Sequence, residues 1–353
     1  MPKAIGNRRS DHGNGGQQSS GRTLLAANTN IGQHFLKNPA VVDSICEKSK
    51  LLKSDTVLEI GPGTGNLTVK LLELSKKVIA VEFDRRMVRE TLKRVEGTPN
   101  EHALRIIQGD VLKVDLPPFD VCVANLPYQI SSPFLFKMLE HTPAFRCAVV
   151  MFQLEFAQRL TAKSGSDLFC RLSVNCQLLA KVTNVLKVGK NNFRPPPKVD
   201  SMVVRIEIKN PRPDVNFQEW DGLIRILFNR KHKTCRAILT TKSTLAMLEE
   251  NRKTHLALLA GAMTTTNTSG GKKKNKKNKS NSNSNSNSNS MDVDHTTTST
   301  TTTTTTDDLP DIKTTVEEIL SAEGYSESRA AKMEQNDFLR LLAAFNSKDI
   351  HFA

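Results

Sequence analysis

The tetrapeptide Asn125-Leu126-Pro127-Tyr128 puts an amide, a main-chain carbonyl, a proline and an aromatic ring directly after the apolar run DVCVA. These groups suit chemistry on the amino nitrogen of adenine. That nitrogen shares its lone pair with the ring and attacks an electrophilic methyl group poorly. Two acceptors aimed at its hydrogens, the Asn125 side-chain oxygen and the Leu126 carbonyl, favour the pyramidal nitrogen of the transition state. Pro127 fixes the turn and biases Leu126 toward extended backbone, which aims that carbonyl. Tyr128 offers a face on which a flipped-out base can stack. No side-chain base is required before attack, because the proton leaves easily once the nitrogen is cationic. Catalysis then rests on positioning and preorganised dipoles. Taken alone, the tetrapeptide is also compatible with a plain proline turn. Phe193 precedes Arg194 and the stiff stretch Pro195-Pro196-Pro197-Lys198-Val199-Asp200-Ser201, and could cover the other face of the base. Its plainer reading is a core ring anchoring that loop.

A second constellation lies upstream. VLEIGPGTGNLT joins an apolar run to a helical pattern, with Glu59 before Gly61, Gly63 and Gly65. Glycines let the backbone turn sharply and approach a ligand closely. The spacing is ExGxGxG, not the GxGxxG of dinucleotide sites. An acidic residue beside backbone donors suits a zwitterionic amino acid group, as in S-adenosylmethionine. The next run, VIAVEFD, carries Glu82, placed to accept from ribose hydroxyls. The third ends in Gln108-Gly109-Asp110, where Asp110 can accept from an adenine amino group.

Elements that place these residues follow from the patterning. TVLEI, KVIAVEF, LRIIQGD and DVCVAN are strand-like, and NLTVKLLEL and RMVRETLKRV between them are helical. This alternation predicts a parallel sheet with crossover helices, and acidic residues at successive strand ends face one crevice. Asn38-Pro39 opens a further helix. CAVVMF and MVVRIEI are two more strands with a helix, FQLEFAQRL, between them. The expected organisation is a disordered basic arm at 1–28, an α/β catalytic domain at 29–210, and a helical domain at 211–353. A low-complexity insertion at about 264–308 interrupts the last and is too polar to bury a core.

The chain of 353 residues carries a formal charge of +14, which fits a polyanionic partner. Arg230, Lys231 and Lys233 form a candidate RNA-facing cluster, and Lys272–Lys279 is a basic run suited to nuclear import. No apolar run reaches the length of a bilayer span. Six cysteines lack metal-type spacing and read as buried free thiols of a reducing compartment.

IGQHFLKNP, ExGxGxG, VEFD, QGD, NLPYQISSP and FRPPPKVDS together resemble the rRNA adenine N(6),N(6)-dimethyltransferase family, in particular its eukaryotic small-subunit branch. WDGLIRILFNRKHKT resembles the start of that family's helical domain. The resemblance implies a Rossmann-like class I methyltransferase sheet with S-adenosylmethionine as donor and no metal. It places Gln33, His34, Leu36, Glu59, Gly61, Gly63, Gly65, Glu82, Asp110, Val111 and Asn125 around the cofactor. It assigns base and reaction to Asn125, Leu126, Pro127, Tyr128 and Phe193. It further implies dimethylation of two adjacent adenosines near the 3′ end of small-subunit rRNA within pre-ribosomal particles, by a monomer of the nucleus and nucleolus, with the cytoplasm left open. Large-subunit or organellar rRNA, and a binding factor with dispensable methyl transfer, are the competing expectations.

Overall fold

The apolar runs form a seven-stranded sheet in a computed structural model that describes residues 27–266 and 310–353. The arm expected at 1–28 lies outside the described residues except for Ala27 and Asn28. The insertion expected at 264–308 lies outside them except for residues 264–266, which continue a helix instead of opening the insertion.

The chain enters through a short strand β1 (Phe35–Leu36) and helix α1 (Pro39–Ser49). The Asn38 side chain caps α1 by accepting from Ala40 N–H at 3.0 Å, with Pro39 in the first turn. Then follow β2 (Thr56–Ile60), α2 (Asn66–Leu74), β3 (Lys77–Glu82), α3 (Arg85–Val95), β4 (Leu104–Gln108) and β5 (Val121–Asn125). Next come α4 (Ser131–Glu140), β6 (Cys147–Gln153), α5 (Leu154–Leu160), α6 (Arg171–Leu179), β7 (Ala180–Val188), β8 (Phe193–Arg194) and β9 (Ser201–Ile208).

The sheet order is β4-β3-β2-β5-β6-β9-β7. Strands β2 to β6 pair in parallel, as the alternation predicts. The interiors of β3, β5 and β6 are apolar because helices cover both faces, whereas β2 carries one buried acid, Glu59. The last two strands differ from that expectation: β9 runs antiparallel to both β6 and β7. β7 and α6 escape the sequence reading. The exposed Lys181, Thr183, Asn184 and Lys187 break up the apolar signal of β7, which is the sheet's edge. Sheet and helices bury two apolar layers, one containing Phe134 and Phe152, the other Val57, Leu71 and Val149. All six cysteines are free, and burial raises the Cys176 thiol to about 12.

Beyond Pro211 the helical run divides into α7 (Phe217–Asn229), α8 (Cys235–Leu239) and α9 (Lys242–Thr266). The basic turn at 230–233 ends the first, and the Thr234 hydroxyl caps the second by accepting from Ala237 N–H at 3.3 Å. Helices α10 (Ile312–Ala322) and α11 (Gln335–Asn346) complete this part. It has its own core around Trp220, Phe338, Phe345 and Phe352, joined by Leu248 of α9 and Val316 of α10. Val174 and Leu178 of α6 enter the same core, so it rests directly on the sheet's flank.

Gly222 of α7 tests this packing. A helix-interior glycine replaced by alanine ordinarily gains about 1 kcal/mol. Here the added Cβ would clash with the Phe352 carbonyl oxygen. Gly222→Ala is therefore expected to lower stability, by about 1–3 kcal/mol for overpacking. Thermal unfolding checks it, and an unchanged or raised midpoint would refute the contact.

Candidate active site

The sheet order reverses between β2 and β5, and both strands end at the same crevice. Ligands of open α/β sheets bind at such switch points, outside the carboxyl ends of the strands. Gly61 leaves β2 and donates its N–H to the Val81 carbonyl at 2.9 Å. Gly63 has φ +58°, a conformation that a Cβ disfavours, and a Cβ there would meet the Phe35 ring at 3.2 Å. Its N–H donates to Glu82 Oε2 at 3.1 Å, tying the turn to the end of β3. Gly65 takes the N-cap position of α2.

A cavity of about 270 Å³ opens beside this turn, near the lower end of the ~300–1,000 Å³ usual for small-molecule sites. Gln33, Gly61, Glu82, Asp110 and Val111 line it, together with Ile31, Ile60, Val81, Phe83, Gly109, Pro127, Gln129 and Ile130. Glu82 is 6% exposed, and its oxygens accept from Gly63 and Asp84 N–H. A carboxylate has lone pairs left after two such bonds. Burial raises the Glu82 pKa from its ordinary value, against the pull of those two bonds. Asp110 accepts from Leu112 N–H at 2.9 Å through Oδ1, which holds its carboxylate at the rim.

A smaller recess of about 70 Å³ adjoins it, lined by His34, Gly63, Asn125, Leu126, Pro127, Tyr128 and Phe193, and shares Gln33, Gly61 and Glu82 with the cavity. Asn125 Nδ2 donates to the His34 carbonyl at 3.2 Å. A carbonyl only accepts, so this bond turns Asn125 Oδ1 the other way. His34 is fixed in turn by Nδ1 donating to the Pro195 carbonyl at 2.9 Å. The Tyr128 hydroxyl bonds Ser201 Oγ at 2.8 Å, and its ring lies stacked 6.3 Å from that of His34. Burial raises the Tyr128 pKa, so the phenol stays neutral. Phe193 is 2% exposed and pairs with Leu36 across β1 and β8. It is a core anchor whose edge walls the recess, and it offers no open face to a base.

Three predicted residues lie off the cavity walls. Leu36 is in the core, and its carbonyl accepts from Asn66 Nδ2 at 2.8 Å. Gly65 faces α3, where a Cβ would meet Arg94 at 3.1 Å. Glu59 lies in the sheet beneath the turn, 1% exposed, with Oε2 lacking a hydrogen-bond partner among the described residues. Burial, reinforced by the Glu82 charge, pushes its pKa up to about 8. Gln33 is held from both ends: its Nε2 donates to Asp84 at 2.9 Å and its Oε1 accepts from Asn28 N–H at 2.8 Å. Conversely, Phe83 escapes the sequence reading. It is 62% exposed on the cavity wall, the place for a flat apolar face beside Asp110. Its position immediately after Glu82 is the signal that could have found it.

A second cleft, of about 800 Å³, lies where α6 meets α7 to α9 and is lined by Arg159, Arg171, Arg225, Arg230 and Lys231. Arg171 pairs with Asp221 at 3.1 Å, whereas Arg225 and Arg230 have no ion pair among the described residues. Lys231 departs from its expected role. Its ammonium donates to the Asp167 and Phe169 carbonyls at 2.7 and 3.0 Å, so it holds a loop instead of facing solvent.

Glu59 gives a pH test. Its folded pKa, about 8, lies above the ordinary 4.5, so the folded chain holds the proton more tightly than the unfolded one. Stability is then undiminished below pH 4.5, falls as pH rises, and carries the full penalty above about 8. Glu59→Gln should remove this slope, so wild type should lose ground to the variant between pH 5 and 8 in thermal unfolding. A constant difference over that range would show that Glu59 is ionised in the fold.

Comparison with known proteins bears on this geometry. The family model for ribosomal RNA adenine dimethylase matches residues 25–269. A model for a secretin N-terminal domain matches residues 244–330, but α9 and α10 in that stretch share the core of α7 and α11 and form no separate unit among the described residues. A ribosomal RNA small subunit methyltransferase of Arabidopsis thaliana is 53% identical over 99% of this chain and 97% of its own length. A dimethyladenosine transferase of Kluyveromyces lactis is 46% identical over 100% of both chains. The crystal structure of a dimethyladenosine transferase from Plasmodium falciparum superposes with a TM-score of 0.74 at 41% identity, covering 91% of this chain and 100% of that one. With the glycine turn, the acidic strand ends and the Asn-Leu-Pro-Tyr recess at one crevice, these matches establish that the chain belongs to the ribosomal RNA adenine dimethylase family, rRNA methyltransferases on a Rossmann-like class I fold.

Proposed function

We propose that this chain uses S-adenosylmethionine to dimethylate the amino groups of two adjacent adenosines near the 3′ end of small-subunit rRNA, during assembly of pre-ribosomal particles. We place it, as a monomer whose methyl transfer needs no metal, in the nucleus and nucleolus. The small-subunit name of the Arabidopsis relative supports the substrate. The lysine run at 272–279, which lies outside the described residues, supports the location.

The observation that carries the reading is the fixed amide of Asn125 in the recess that adjoins the cavity. The donor set fits the cofactor. Glu82 has lone pairs left for ribose hydroxyls, Asp110 can accept from an adenine amine, and the Phe83, Ile130 and Val111 side chains flank an apolar ring. Backbone at Gly61 is open to the amino acid part, since even a Cβ there would meet nothing nearer than the Asn125 carbonyl oxygen at 3.7 Å. When bound, S-adenosylmethionine supplies an electrophilic methyl group. The chain's part is positioning. Asn125 Oδ1 and the Leu126 carbonyl accept from the two hydrogens of the target amine, drawing its lone pair out of conjugation. Tyr128, held by Ser201, supplies the stacking face. Bulk water is kept from the recess by Phe193 and the His34–Pro195 contact. The proton leaves after the nitrogen becomes cationic, and no titrating base is needed.

Methyl transfer from labelled S-adenosylmethionine to purified pre-ribosomal small subunits, followed by nucleoside analysis, tests this. Wild type should form dimethyladenosine. Asn125→Ala should be slower by roughly 10²–10³, the usual effect of losing one preorganised polar group. Small subunits left without label while large-subunit rRNA supplied in parallel gains it would overturn the substrate, and label unaffected by Asn125→Ala would overturn the mechanism.

The basic cleft is the proposed RNA path. Arg225→Gln with Arg230→Gln should weaken RNA binding and flatten its dependence on salt, by roughly 0.7–0.9 in slope for each phosphate left without its arginine. Lys231→Gln should act on stability instead. An unmoved salt slope in the arginine variant would send the RNA elsewhere.

A further inference from the structure

Helix α9 and the segment after α11 bring together three side chains that neither the cavity nor the basic cleft uses. One ligating atom each of His255, Asp349 and His351 lies within 4.8 Å of the others. His255 Nδ1 and His351 Nε2 are buried and without a hydrogen-bond partner among the described residues. An unsatisfied buried polar atom is costly, and two such atoms close together call for a shared partner. The two rings lie 3.9 Å apart between centroids and are tilted by 48°.

The surroundings are those of a metal ligand. His351 Nδ1 stands 3.4 Å from Glu219 Oε1. Glu219 is itself held by Phe352 N–H at 2.7 Å and Ala353 N–H at 3.3 Å. A carboxylate facing one imidazole nitrogen, with the other nitrogen turned to an ion, is the arrangement found behind metal-bound histidines. Asn251 Nδ2 donates to the His351 carbonyl at 3.0 Å, fixing the backbone as well. Asp349 has φ +55°, a left-handed turn that aspartate tolerates, and it is solvent-exposed. The turn sets Asp349 and His351 on the side of α9 while Ile350 between them enters the core.

We propose that His255, His351 and Asp349 bind a first-row divalent cation, with zinc the best match. Two imidazoles and one carboxylate are borderline ligands of the kind zinc takes, and water would complete four-coordination. Zinc–ligand bonds of about 2.0–2.2 Å need donors about 3.3–3.5 Å apart, so the side chains must close by rotations of about 1 Å. The ion would clip the chain's last residues to α9, the helix that leads into residues 267–309. Its role is structural and separate from methyl transfer.

The test uses the full-length protein, stripped with chelator and desalted, then titrated with zinc chloride alone. Calorimetry should show one tight site, and the thermal midpoint should rise with zinc. Cobalt in place of zinc should give the visible spectrum of a four-coordinate ion. His255→Gln should abolish all three responses. Asp349→Asn, at an exposed position that leaves the core intact, should weaken zinc by about tenfold or more. Methyl transfer by the Asp349 variant should be unchanged, so this result and that of the methylation assay fail independently. Absence of tight zinc binding in wild type, or equal binding in the Asp349 variant, would overturn the proposal.

Discussion

The hydrogen bond from Asn125 Nδ2 to the His34 carbonyl is the contact on which the rest of the site depends. A primary amide free to rotate presents donor or acceptor with equal ease. Tied to a carbonyl, it presents its oxygen to the opposite side. That carbonyl needs anchoring too, and it belongs to a segment at the chain's N-terminal end. Two contacts hold the segment: His34 Nδ1 on the Pro195 carbonyl, and the pairing of Phe35 and Leu36 with Arg194 and Phe193. The proline-rich loop thus works at a distance from the reacting atoms. It secures the strand that secures the amide.

Electrostatics divide the chain in two. At the sheet's switch point Glu59 and Glu82 are buried together and burial raises both pKa values. Desolvated carboxyls of this kind favour a ligand that brings positive charge or hydroxyl donors, because either restores what burial removed. At the junction with the helices the charge is reversed, and Arg225 and Arg230 stand unpaired among the described residues. The two pockets therefore present side chains of opposite sign, Glu82 and Asp110 in one and Arg225 and Arg230 in the other.

Legibility in the sequence follows the physics of each element. The central parallel strands are readable because burial on both faces makes their apolar runs nearly continuous. Glu82, Asp110 and Asn125 are readable because each closes such a run, and strand ends in this topology share one crevice. Edge strand β7 is not, since four exposed polar residues interrupt its pattern. The two-residue pair β1 and β8 carries no periodicity at all. Phe83 is legible only through its place next to Glu82, since an exposed aromatic has no periodicity of its own to mark it. Composition groups Lys231 with its basic neighbours, and only the fold reveals the two carbonyls that hold it.

The helical part shows why an interrupted sequence still packs as one unit. Leu248 from before the interruption and Ile312 and Val316 from after it enter one core with Trp220. Arg252 closes the gap between the flanks by donating from both terminal nitrogens to the Pro310 carbonyl at 3.2 Å. With both flanks packed in one core, the entropy of joining them grows only with the logarithm of the intervening length. A long polar insertion between α9 and α10 therefore weakens the core little, provided that its ends are secured. The histidine pair of α9 and the terminal segment lies on the same helix as Arg252, so two contacts within one turn of α9 tie it to Pro310 and to the residues after α11.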